Sequence, residues 1–141
     1  GHFYGRPLRA AATSSHLAWM IDPLWLFGVD LFHHRYWWEA HEVWEPLWRA
    51  HDKALPPGVF LQGLMQCAAA LLKVHEGNLP GVLALWGKAE VRLGQCAKVE
   101  RELWGLRTDK TFRAFQRYFG SAVAAHRLPS LDDVPLLELR L

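Results

Sequence analysis

Tyr36–Trp48 reads YWWEAHEVWEPLW, and these thirteen residues hold four Trp, one Tyr, three Glu and one His. Set on a helix at about 100° per residue, Val43, Tyr36, Leu47, Ala40, Trp44, Trp37 and Trp48 fall on one continuous arc. His41 lies at one edge of that arc, beside Trp48, and Glu39 at the opposite edge, beside Val43. Glu42, Glu45 and Arg49 take the far side, with Trp38 among them. The stretch is therefore an amphipathic helix with an aromatic inner face. An imidazole and a carboxyl group stand at its boundary, where burial can perturb a pKa. His41 and Glu45 are i,i+4 neighbours, while Glu39, Glu42 and Glu45 succeed one another at i,i+3. Carboxylates at that spacing repel unless a cation, a proton or donor groups sit between them. Pro46 removes one helical hydrogen bond and crowds the Glu42 carbonyl, at roughly 3 kcal/mol, which predicts a kink or loosened turn at 42–45.

Working outward, the rest of the chain reads as a scaffold that buries this helix. Residues 1–13 are irregular, and Ser14 or Ser15 opens a short helix to about Asp22, stopped by Pro23. Residues 24–30 give an apolar turn closed by Gly28, and Asp30 caps a further turn over Leu31–Arg35. Residues 49–58 (RAHDKALPPG) form a polar loop with two prolines. The helix at 59–76 is apolar over about half its circumference and stops at Gly77-Asn78. Gln62, Gln66 and Lys73 form a narrow stripe on it, beside the small residues Gly63, Ala69 and Ala70. Buried amides need partners, and Glu39, His41 and Glu42 are the expected ones.

Leu79-Pro80-Gly81 starts a helix to about Leu103, with Val82, Leu85, Trp86, Ala89, Leu93 and Cys96 inward and Arg92 on the solvated side. Thr108 or Asp109 caps a last helix to about His126, with Phe112, Phe115, Phe119, Ala122 and Val123 inward. The tail 128–141 is broken by proline and opens with a capping pattern from Ser130 to Asp133. No strand-like alternation, repeat or low-complexity segment appears. The expected fold is all-α: one domain over 1–141, a compact array of five to six helices around the buried helix 59–76.

Composition narrows the function classes. The net charge is +2, and Lys and Arg are scattered apart from a mild cluster at Arg107–Arg117, which argues against a nucleic-acid partner. No apolar run reaches the length of a membrane span and no signal peptide is visible, so a cytoplasmic protein without a membrane partner is expected. Cys67 and Cys96 sit on apolar helix faces without CxxC spacing; a single disulfide between them is one reading, and buried free thiols in a reducing compartment are the preferred one. Phosphate loops, G-x-S-x-G elbows and RNA-binding alternations are lacking.

The chemistry concentrates on the first helix. His41-Glu42 followed by Glu45 departs from the H-E-x-x-H zinc helix because position 45 is Glu. A His-plus-carboxylate site from His41, Glu42 and Glu45 remains open, with a divalent metal as its cofactor. His41, Glu42 and Glu39 are the candidate catalytic groups. Gln62, Gln66, Lys73 and Trp48 are the candidate substrate contacts. His34 would join this face if the helix extended back, and His75 falls on the apolar side of its own helix. The competing reading is a hydrogen-bonded polar network that fixes helix register, with surplus Trp such as Trp38 binding a protein partner, a small molecule or a second copy of the chain.

Three blocks carry a family resemblance. YWWEAHEVWEPLW resembles the first signature of the bacterial and archaeal family called domain of unknown function 309. FLQGLMQCAAA (Phe60–Ala70) resembles its second block, and Lys73 with Gly77-Asn78 and Gly81 resembles its third. The blocks cover about residues 28–95 in order. The resemblance implies a small all-helical domain centred on a buried helix pair, and members are sometimes labelled metal-dependent hydrolases. It carries over Glu39, His41, Glu42, Glu45, Trp48, Gln62, Gln66, Lys73 and Asn78, while Pro46 departs from the pattern.

Overall fold

The computed structural model describes residues 22–140. The irregular segment expected at 1–13 and the short helix expected from Ser14 or Ser15 lie outside the described residues. Within them the chain is all-α apart from one small hairpin. The order is α1 (Pro23–His33), α2 (Trp37–Arg49), α3 (Pro56–His75), α4 (Leu79–Val99), β1 (Glu102–Leu103), β2 (Leu106–Arg107) and α5 (Thr108–Ala125), then a 3-10 turn at Leu131–Asp133.

The two apolar pieces expected between 24 and 35 are one helix. Asp22 accepts from the Leu24 and Trp25 N–H groups at 2.9 and 3.3 Å, and Pro23 follows it where no N–H is needed. Asp30 is thus interior rather than a cap. Gly28 sits mid-helix because α2 passes there. A Cβ at Gly28 would lie 1.9 Å from Trp44 Nε1, and that indole donates to the Trp25 carbonyl at 3.2 Å. Trp44 stacks on Trp25 at 5.3 Å and on Phe32 at 6.2 Å, and Trp25 meets Trp104 at 5.1 Å. These rings tie α1, α2 and the hairpin into one core.

α3 is the central helix, as its sequence suggests, with thirteen of its twenty residues buried. It begins earlier than expected. Pro56 and Pro57 occupy its first two positions, where their missing N–H groups cost nothing. Gly63 lets α4 approach closely, since a Cβ there would come within 2.8 Å of Leu93 Cδ2. By length and composition α3 could cross a membrane, with a mean hydropathy of 1.3. However, 61% of that window is buried inside the protein, as in the core helix of a folded domain. Cys67 and Cys96 are free and buried; burial pushes both thiols up, Cys96 to about 12, so neither forms a ready thiolate.

The largest departure from the sequence reading follows α4. That helix stops at Val99, and the chain makes an antiparallel pair, Glu102 with Arg107 and Leu103 with Leu106. Trp104 and Gly105 form the two-residue turn with φ of 58° and 73°. Positive φ is unfavourable for Trp, but the side chain is fully buried and its N–H donates to the Pro57 carbonyl at 2.8 Å. Thr108 opens α5 and its hydroxyl donates back to the carbonyls of Glu100 and Arg101, so neither it nor Asp109 is the cap. Along α5, Phe115, Phe119 and Ala122 are buried as expected. Val123 is 53% exposed, and Tyr118 takes the inward place instead.

The tail is packed down. Leu137 is buried, the Arg140 N–H donates to the Gly105 carbonyl at 2.7 Å, and Ser130 accepts from the Asp132 N–H at 3.1 Å. His33 closes α1, and its Nε2 accepts the Leu137 N–H at 2.9 Å. Burial holds the His33 pKa below its ordinary value, against the opposing pull of Asp30 and with help from the neighbouring His34.

Two outcomes follow from this packing. Gly28→Ala, although it favours a helix, forces the Trp44 indole to move. It is expected to cost about 1–3 kcal/mol in urea unfolding, as overpacked cores do. Only an unprotonated His33 Nε2 accepts the tail N–H. Because the folded pKa is lowered, the stability it contributes is present above the unfolded pKa of about 6.5 and is lost as pH falls below it. Melting curves at pH 7.5 and pH 5 should show a smaller drop in His33→Gln, whose amide oxygen accepts the bond at either pH.

Candidate functional site on helix α2

Helix α2 presents its residues much as its periodicity dictates. Trp37, Ala40, Trp44 and Leu47 are buried, while Trp48 is half-buried. Tyr36 is the exception at 55% exposure, because the helix begins at Trp37 and Tyr36 stands before it as the capping residue. The helix continues through Pro46 to Arg49. Proline offers no N–H, so the Glu42 carbonyl lacks its helical donor.

His41 and Glu45 are half-buried and Glu42 is exposed. One ligand atom from each of the three can be chosen so that all lie within 4.8 Å of one another. The spacing explains this: His41 and Glu45 are one turn apart, and Glu42 reaches Glu45 at i,i+3. Glu39 is exposed and stays outside the group. Trp38, one turn before His41, stacks its ring parallel to the imidazole, with centroids 5.5 Å apart and planes 6° from coplanar. Arg49 donates to Glu45 Oε2 at 2.7 Å, so this carboxylate already has one cation.

Three polar atoms along α2 are buried without hydrogen-bond partners: Trp37 Nε1, His41 Nδ1 and Trp48 Nε1. They occur at i, i+4 and i+11, a single stripe of the helix. Lys53 holds its ammonium 4.6 Å from the centre of the Trp48 ring.

The amide stripe of α3 goes elsewhere. Arg92 of α4 donates to Gln62 Oε1 at 3.0 Å and to Gln66 Oε1 at 3.4 Å. The expected bonds from these glutamines to Glu39, His41 and Glu42 are absent. Arg92 is half-buried rather than solvated, brought in by the close approach at Gly63. Lys73 pairs with Glu76 at 3.1 Å. Asn78 caps α4 by accepting from the Gly81 N–H at 2.9 Å, and Gly77 turns the chain at φ 73°. A Cβ at Gly81 would press on Asn78 and Lys73 at 3.0–3.1 Å. The third sequence block is therefore a helix–turn–helix device.

Among the described residues, the other histidines stand apart from the His41 cluster. His34 is the residue that caps the end of α1, where its Nδ1 meets the Asp30 carbonyl at 2.9 Å, since the chain breaks between α1 and α2. His75 ends α3 and is exposed, not apolar-facing. Sequence reasoning passed over His51, whose Nδ1 bonds the Leu47 carbonyl at 2.9 Å and whose ring lies 5.1 Å from Trp104.

Residues 25–85 match the family described as Domain of unknown function (DUF309). The DUF309-like segment spans nearly all of α1, then α2, α3 and the first part of α4, so it contains both the His41 cluster and the helix–turn–helix. The hairpin, α5 and the tail lie beyond it. No curated protein and no solved structure matches the chain.

The Arg92 bridge can be isolated. Arg92→Met keeps the packed stem but removes every donor, and should cost about 1–2 kcal/mol in chemical unfolding.

Proposed function

We propose that His41, Glu42 and Glu45 form a divalent-cation site and that the protein uses it for hydrolysis. The observation that carries this reading is the grouping of one imidazole and two carboxylates with ligand atoms within 4.8 Å. The orphaned His41 ring nitrogen fits it, since a buried imidazole nitrogen without a partner gains one from a ligand or an ordered water. A nitrogen-and-oxygen donor set of this kind suits zinc or manganese. A bound ion would supply Lewis acidity and lower the pKa of a coordinated water.

The chain's own residues have separable parts in this reading. Three donors from one helix face leave room for water and substrate. Trp38, stacked on the imidazole, fixes the ring plane. Glu39, exposed one turn before Val43, is the candidate proton acceptor outside the ligand set. Arg49 competes for Glu45 and releases it as an ion arrives. Of the four expected substrate contacts, Trp48 keeps an unpartnered indole N–H, whereas Gln62, Gln66 and Lys73 are engaged by Arg92 and Glu76. A cytoplasmic location suits the two free thiols.

A second reading rests on exposed aromatic surface. Phe27, Tyr36 and Trp38 are 53%, 55% and 51% exposed, which suits self-association or a protein partner. Light scattering behind size exclusion separates the two: a strict monomer at high concentration removes self-association and leaves the cation site untouched.

The cation site is tested by metal analysis of protein purified without chelator and by calorimetric titration with zinc and manganese. Near-stoichiometric uptake is expected. His41→Ala and Glu42→Gln should each weaken it by about 10–100-fold, as loss of a ligand does. A wild-type chain that takes up neither ion, or variants that bind as well as it does, would end the proposal.

A further inference from the structure

Two grooves run side by side between α5 and the tail, well away in sequence from the α2 cluster. One, of about 630 Å³, is walled by Arg107, Lys110, Arg113, Arg117 and Arg140. The other, of about 450 Å³, is walled by Tyr118, Ser121, Ser130 and Asp133. They share Ala114, Arg117, Leu136 and Glu138, so they form one trough with two ends. Helix geometry explains the alignment: Arg107, Lys110, Ala114, Arg117 and Ser121 recur at 3–4 spacing and occupy one face of α5.

The two ends carry opposite charge. The first places five cations against one carboxylate, Glu138. Three of these cations are partly committed. Arg107 holds Asp109 at 2.9 Å, Arg113 stands 4.0 Å from the same carboxylate, and Arg140 is 3.6 Å from Glu102. Lys110 and Arg117 have no ion-pair partner among the described residues, and both are exposed. Residues 1–21 contain Arg6 and Arg9 and no carboxylate, so that segment offers nothing to neutralise the cationic end. The second end sets Asp133 and Glu138 against Arg117 alone.

A third observation points to a ligand. Tyr118, in the wall of the second groove, is only 7% exposed, and its hydroxyl has no hydrogen-bond partner. Burial and the nearby Asp133 push this phenol up to about 12, against Arg35, so it stays a donor across the physiological range. A buried O–H without an acceptor is costly unless something supplies one.

We propose that this trough binds a small phosphorylated molecule, its phosphate held by Lys110 and Arg117 and its polar body reaching Tyr118 and Asp133. Guanidinium and ammonium groups in a cluster suit a phosphate, which guanidinium binds bidentately. The charge reversal decides against an extended polyanion, whose backbone would run onto Asp133 and Glu138. Aromatic platforms for stacked bases are also missing from the trough wall on the cationic side. An ammonium or hydroxyl on the ligand body matches Asp133. This inference is independent of the cation site on α2 and stands or falls without it.

The test uses the full chain and three probes: orthophosphate, O-phosphoethanolamine and a single-stranded RNA dodecamer, each titrated by calorimetry and NMR. O-phosphoethanolamine should bind saturably and more tightly than orthophosphate. Lys110→Ala with Arg117→Ala should weaken both phosphates by about tenfold or more, as loss of charge-assisted bonds does. Asp133→Asn should remove the preference between them. Tyr118→Phe, which deletes only the hydroxyl, should weaken O-phosphoethanolamine more than orthophosphate. Circular dichroism confirms folding, and Arg117→Gln alone serves if the double variant is unstable. Absence of saturable binding by either phosphate would overturn the proposal, as would unchanged affinity in the Lys110 and Arg117 variants. RNA capture with both small probes silent would replace it with a polyanion surface.

Discussion

The indole of Trp44 in the notch at Gly28 is the contact on which the rest of the fold depends. Two helices can cross this closely only where one of them lacks a Cβ, and here the clearance is decided by a single atom. The indole does more than fill the notch. It donates to the Trp25 carbonyl, fixing where along α1 the second helix sits, and presents its face to Trp25 and Phe32. Register and angle of α2 are therefore set at its buried side. The positions of His41, Glu42 and Glu45 on its other side follow, because a helix moves as one body.

The same logic orders the far end of the core. Trp104 accepts a left-handed backbone, and its buried side chain meets Trp25 and the Pro57 carbonyl. The strain is local and the return is spread over three elements. The tail then closes on the turn through the Gly105 carbonyl and on α1 through His33. A hairpin of four paired residues would be marginal alone. It persists because a buried indole anchors its turn to α3 and the tail bonds the turn carbonyl of Gly105.

How much of this could be read from the chain depends on range. Periodicity sufficed for the bodies of α2, α3, α4 and α5, for the burial of Trp37, Trp44 and Leu47, and for a polar cluster at the edge of α2. These features repeat every 3–4 residues and depend only on neighbours in sequence. Capping chemistry worked at Ser130, where side chain and N–H are two residues apart. It misled at Asp30 and Thr108, which look like caps until their tertiary setting is known. Arg92 could not be placed, since its partners are 26 and 30 residues away and its approach depends on Gly63. The hairpin escaped because two-residue strands show no alternation, and Trp-Gly is an unusual occupant of a turn that prefers Asn-Gly. The docked tail escaped for the same reason as Arg92: only long-range contacts define it.

The unpaired atoms on α2 bear on which functional reading is stronger. A polar network kept only to fix helix register gains its value by being fully satisfied, since a buried group without a partner costs about 1–3 kcal/mol. Two other buried indoles are satisfied: Trp44 reaches Trp25 and Trp104 reaches Pro57. Along the stripe of Trp37, His41 and Trp48 the buried nitrogens are not. The glutamines that could have completed a network have turned to Arg92 instead. Selection for stability alone would favour apolar groups at those three places. Their polarity, next to two carboxylates that a cation would bring to rest, weighs toward a face arranged to receive something rather than one built only to hold helices together.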